Sequence, residues 1–245
     1  MTVLTGLWAR VSGTQPVPHA WVVAVTALAA LVIVLNAESW RLASKVITIA
    51  HEGGHALVSV LSGRRLEGIR LHADSSGVTY SRGKRNGPGL VLTAAAGYVT
   101  PSLLGAGAAW LLAERHLTAM LWLALALLAA TFLVVRNVFG ALAVLAAAGG
   151  VFAVSYFASA AVQAGFAYLA AWFLLLGGMR PVLELPRRRR VRVRGPGGAR
   201  VWAGRSDADQ LTRLTGVPSG LWVGLFMLVA VAALAVGARL LIPPG

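Results

Sequence analysis

Two histidines and a glutamate stand in five consecutive residues, His51-Glu52-Gly53-Gly54-His55. On a helix, positions i and i+4 share one face, so both imidazoles can grip a single metal ion. The chemistry of such a pair is zinc-assisted hydrolysis. Zinc lowers the pKa of a bound water to about 7, and Glu52, next to the first ligand, is placed to take the proton as general base. With five His and five Glu in the chain, chance would produce the pattern in roughly one chain of this size in 500. The chain contains no cysteine, so thiolate zinc sites, iron–sulfur clusters and disulfides are excluded. Metal ligands must come from His, Asp and Glu.

The elements that hold these residues are membrane helices. Of 245 residues, 58% are hydrophobic and 12% charged, with a mean hydropathy of +0.74. A soluble domain carries roughly a quarter charged residues. Runs of about 20 apolar residues cross a bilayer as helices, because lipid leaves no other way to pair the backbone. The fold class expected is an all-α polytopic membrane protein with about seven transmembrane helices, at about 20–36, 43–62, 88–112, 117–135, 138–154, 157–178 and 219–242. All lie in a single membrane domain covering 1–245. The run 138–178 is too long for one crossing, and Gly149, Gly150 and Ser155 mark the expected turn. The first run exceeds the length of a signal-peptide core and reads as a retained anchor.

Ionisable residues inside a span cost about 2.5–3.5 kcal/mol each and mark function by default. The motif falls inside the second span, with three such residues in five. The alternative is a polar knot that bonds neighbouring helices. His55 lies eight residues before Gly63, about 12 Å below the surface at helical rise, a depth that water can reach.

Basic residues set the orientation. With seven spans, the N-terminus, 63–87, 136–137 and 179–218 share one side and hold most of the Lys and Arg, which places them in the cytoplasm. This accounts for the net charge of +14 through the membrane rather than through nucleic acid, which is not expected as a partner. Residues 64–83 alternate around a turn at Asp74–Gly77 and predict a short cytoplasmic β-hairpin-like insertion after the second span. The stretch 179–218 reads as a basic, flexible cytoplasmic loop. Within it, 186–205 is rich in Pro, Gly and Arg, and its four consecutive arginines suit anionic lipid. Ser206 opens a short surface helix.

These features resemble the site-2 protease family of intramembrane zinc metalloproteases, particularly its short bacterial, peptidase-like branch. The resemblance covers about 45–140: the His51–His55 motif in a span, the hairpin at 64–83, a following helix with Ala-Ala-Gly-Tyr-Val-Thr-Pro-Ser at 95–102, and Arg136-Asn137 where the family carries an Asn in its third core helix. It implies hydrolysis of membrane-associated protein or peptide substrates in a bacterial plasma membrane, with Zn2+ as cofactor and Asn137 bonding substrate backbone. Asn137 is equally suited to joining helices. The family's third zinc ligand is an Asp–Gly pair soon after that Asn. Here no acid occurs between Asn137 and Glu184.

The candidates for the third ligand are few. Asp207 and Asp209 follow the arginine-rich stretch, but Ser206 with Asp209 also forms a capping box, and acids favour helix N-termini. Asp74 and His72 sit at the hairpin, where turn chemistry also explains Asp74. The absence of the Asp–Gly pair leaves a second reading open, a catalytically degenerate membrane scaffold or binding protein.

Overall fold

The computed structural model describes residues 13–190, 192–194, 200–202 and 206–242. The chain is mostly helical. It runs α1 (Ala20–Leu35), α2 (Ala37–Leu61), β1 (Arg65–Leu71), β2 (Gly77–Arg82), α3 (Pro88–Ala113), α4 (Leu117–Val134), α5 (Val138–Phe157), α6 (Ala160–Arg190), β3 (Arg192–Arg194), β4 (Arg200–Trp202), α7 (Asp207–Thr215) and α8 (Ser219–Leu241). Each apolar run expected as a span coincides with a helix. Five of them, α3, α4, α5, the apolar part of α6, and α8, are long and apolar enough to cross a membrane singly. The helices α1 and α2 qualify only together, as one span bent by 100°.

The bend has a local cause. The Asn36 side chain accepts the backbone N–H groups of Glu38 and Ser39, both at 3.0 Å, and so caps α2 one residue after α1 ends. The Arg180 side chain from α6 holds the elbow: it donates to the Val34 carbonyl, covers the Trp40 ring at 4.7 Å and pairs with Glu184. At its other end α1 begins beside the α3–α4 connection, where Gln15 N donates to the Arg115 carbonyl at 2.9 Å. The start of α3 lies against Ser62, at the end of α2. Residues 13–18 and the hairpin base therefore occupy opposite ends of α3, whereas seven full crossings would put them on one side.

The sequence places a turn at Gly149–Gly150, but α5 continues through both and breaks at Ala158–Ser159. Spanning helices tolerate glycine, since lipid offers the backbone no alternative to its own hydrogen bonds. In the stretch expected to be a flexible basic loop, α6 continues to Arg190, and the short antiparallel pair β3–β4 follows. The parts of 186–205 outside these elements, where the flexible loop is expected, lie outside the described residues, as do the side chains of Arg187 to Arg190.

The core is formed where α1, α3, α6 and α8 meet. Ala30, Ala109, Ala167, Ala171 and Ala230 are fully buried, and small residues of this kind let membrane helices approach closely. In contrast, α4 and α5 bury little of their apolar surface within the fold. The hairpin forms as expected, with β1 and β2 antiparallel and Ile69 opposite Thr79. It lies against α2. On its other side, a single parallel bridge joins Ile69 to Val135.

Candidate metal centre

His51 and His55 lie one turn apart on α2, and their Nε2 atoms are 3.1 Å apart. The Asp207 Oδ2 atom, from the first turn of α7, lies 3.1 Å from His51 Nε2 and 3.2 Å from His55 Nε2. The three ligand atoms fall within 4.8 Å of one another. A tetrahedral zinc with ligands at about 2.0–2.1 Å spaces them about 3.3 Å apart, so this donor set fits the ion. Thr93 supports it from α3: its carbonyl lies 2.6 Å from His55 Nδ1. A carbonyl only accepts, so Nδ1 carries the proton and Nε2 keeps its lone pair for a metal.

The space around the two imidazoles depends on Gly97 of α3. A Cβ there would stand 2.6 Å from both Cε1 and Nε2 of His51 and would also strike His55. Gly54, inside the motif, lets α2 close on Thr100 in the same manner, while a Cβ at Gly53 would meet only Thr131 Oγ1 at 3.8 Å, an ordinary contact. The His51 ring packs edge-on against Tyr98 at 4.7 Å, and Tyr98 stacks on Phe226 of α8 at 5.3 Å.

The two aspartates of α7 have different surroundings. Ser206 and Asp209 form a reciprocal capping box, in which the Ser206 side chain accepts the Asp209 N–H and the Asp209 carboxylate accepts the Ser206 N–H. Asp209 stands outside the group of three. Asp207, at the first helical position, is left to point at the histidines. Ala208 and Leu211 are fully buried against Ala94, Val182 and Phe226, which fixes α7 in place. Gly216, in the left-handed conformation at φ 74°, ends it. Burial opposes the charge on Asp207. Its contacts with the His51 and His55 rings outweigh that and hold its pKa below the usual carboxylate range. It is thereby kept in the form that binds a metal.

Glu52 is 4% exposed and is covered by the hairpin, with Thr79 Oγ1 2.7 Å from its Oε2. Asn137 is occupied: its Nδ2 donates to the Leu71 carbonyl at 2.7 Å and its Oδ1 accepts the Leu71 N–H at 3.1 Å. The amide suggested for substrate backbone, or for joining helices, here fastens strand β1. His72 and Asp74 are exposed at the hairpin turn, away from the group of three, and hydrogen bonds from Ser76 hold the Asp74 pKa low.

Thr79, Gly97 and Thr93 were not singled out by the sequence. Thr93 and Gly97 are spaced i,i+4 on α3, which puts them on one face, but nothing in the sequence alone turns that face toward α2.

No curated protein and no solved structure matches the chain. A family model described as Peptidase M50B-like matches residues 24–237, a range that includes both histidines, Glu52 and Asp207. This match spans the helices α2 to α7 completely and most of α1 and α8, so the chain belongs to the Peptidase M50B-like family of membrane metallopeptidases.

Proposed function

We infer that the chain is an intramembrane zinc metallopeptidase that hydrolyses peptide bonds of membrane-associated protein substrates. The observation that carries this reading is the Asp207 carboxylate, 3.1 and 3.2 Å from the two histidine nitrogens. Three protein ligands and one open position are the usual arrangement for catalytic zinc. His51, His55 and Asp207 would hold the ion. Zinc, when bound, acidifies a water and polarises the scissile carbonyl. Glu52 accepts the proton of the attacking water and returns it to the leaving amine. Its enclosure by the hairpin keeps bulk water away, which strengthens the interactions of its charge. Tyr98 and Gly97 shape the wall beside His51.

The scaffold alternative drew its support from the lack of an acid after Asn137, and Asp207 supplies an acid at the histidines. For orientation, the basic hairpin, the 136–137 junction and the region around α7 face the cytoplasm of a bacterial plasma membrane. With α1 and α2 forming one bent span, residues 13–18 face the opposite side. Seven full crossings would instead give the cytoplasmic N-terminus expected from the sequence.

Metal analysis of the detergent-purified protein tests the site. About one zinc per chain in wild type and in Glu52→Gln, with loss in His55→Ala and Asp207→Ala, is the expected result. Cleavage of casein should be abolished in all three variants. No zinc in the wild-type protein after supply during expression would overturn the reading.

A further inference from the structure

The hairpin is fastened along the face of α2 that leads to the motif. Ser44 Oγ lies 2.8 Å from Ser75 Oγ. The Lys45 ammonium donates to Ser75 Oγ at 2.6 Å and to the Ala73 carbonyl. Thr48 Oγ1 donates to the Ser75 carbonyl at 2.9 Å. One turn further, Thr79 Oγ1 reaches both Glu52 Oε2 at 2.7 Å and the Glu52 carbonyl at 3.1 Å. Positions 44, 48 and 52 follow i,i+4 spacing, so one stripe of α2 carries three of these contacts, with Lys45 beside it. Gly77 completes it, since a Cβ there would stand 2.5 Å from Glu52 Cγ and 2.7 Å from Oε1. β2 therefore lies directly on the carboxylate.

The arrangement makes the two carboxylate oxygens unequal. Oε2 is engaged by the Thr79 hydroxyl, while Oε1 has no such donor among the described residues. A glutamate side chain turns about three bonds, whereas a threonine in a strand is stiff at χ1. The strand thus aims a donor that the helix alone cannot fix. Hydrogen bonds to charged groups are stronger than neutral ones and set orientation as well as energy.

We propose that Thr79 is a positioning residue for the general base, its hydroxyl holding Oε2 so that Oε1 is the oxygen that receives the proton. This rests on the peptidase reading of the metal centre. Thr79 stands outside the His51, His55 and Asp207 group and acts through Glu52. The hairpin is then part of the catalytic apparatus, because its register decides which side chain stands over Glu52. A slip by one residue would put Val78 or Tyr80 there.

Thr79→Val keeps the shape and the β-branch and removes only the hydroxyl, while Thr79→Ser keeps the hydroxyl. Both are purified in detergent beside the wild-type protein and Glu52→Gln, with zinc content and fluorescein-casein kinetics measured on each. The expected result is about one zinc per chain in all four. In Thr79→Val, kcat should fall at least about tenfold with KM within about twofold of wild type, and Thr79→Ser should recover most of the loss. Wild-type kcat in Thr79→Val, a serine variant no better than the valine one, or loss of zinc in Thr79→Val would each overturn the proposal and leave Thr79 a fold residue. A wild-type protein that binds no zinc, or whose cleavage survives Glu52→Gln, would overturn the peptidase reading and Thr79's role with it.

Discussion

His55 Nε2 and Asp207 Oδ2 are 3.2 Å apart across 152 residues of chain. The contact joins the motif helix α2 to the first turn of a short helix docked on α3 and α8. Removing the acid while keeping its shape is the sharpest test of it. Asp207→Asn should lower zinc affinity by more than the factor of about 10 to 100 that losing a partner one shell further out costs. Equilibrium dialysis against a zinc chelator measures it.

Asp209 should behave differently, although it is two residues away. Its carboxylate closes the capping box with Ser206. Asp209→Ala should leave zinc content near wild type and cost about 1 kcal/mol of local stability, seen as faster hydrogen exchange in α7. Zinc loss as complete as in Asp207→Ala would give Asp209 a ligand's role after all.

Gly97→Ala adds one methyl group where two imidazoles need the room. The expected outcome is loss of zinc with the protein still folded and monodisperse in detergent. Gly53→Ala, with only Thr131 Oγ1 at 3.8 Å from the added carbon, is the matched control and should retain the metal.

Asn137→Ala removes both side-chain bonds to Leu71. Each is worth about 1 kcal/mol net, more where a buried partner is left unmatched. The hairpin should become more susceptible to added protease while zinc content is preserved. Unchanged cleavage of the hairpin would show that the Ile69–Val135 bridge and the Lys45–Ser75 latch suffice without the amide.

The bent first span predicts that residues 13–18 and the hairpin base face opposite compartments. Because the chain has no cysteine, Thr14→Cys and Gly83→Cys each introduce a single thiol, both at exposed positions. A membrane-impermeant maleimide applied to intact cells should label Thr14→Cys and leave Gly83→Cys unlabelled until the cells are opened. Labelling of neither or both before opening contradicts the arrangement.

Much of this was legible in the sequence. Apolar runs located every long helix, since hydropathy over about 20 residues is what a bilayer selects. The motif identified its own helix face through i,i+4 spacing. The alternation after Asp74 identified the hairpin. What remained hidden depended on contacts between distant segments. Asp207 and Asp209 have the same local signature, and only the docking of Ala208 and Leu211 turns one of them to the histidines. The capping box was itself a clue, because a serine that claims Asp209 leaves Asp207 free for other work. The 100° elbow was hidden because Asn36 reads as the end of a span. The elbow it caps is held from the other side by Arg180, far along the chain. Thr79 was hidden by its ordinary place in an alternating strand.

The distance along the chain from His55 to Asp207 also bears on synthesis. A ribosome delivers the two histidines early and the aspartate only after α3, α4, α5 and α6 have been made. If Asp207 completes the metal site, the nascent chain holds only two ligands of three until α7 docks. On the peptidase reading, hydrolytic capacity is then withheld from unfinished copies, and a chain truncated before Ser206 should sit in the membrane as an inert product.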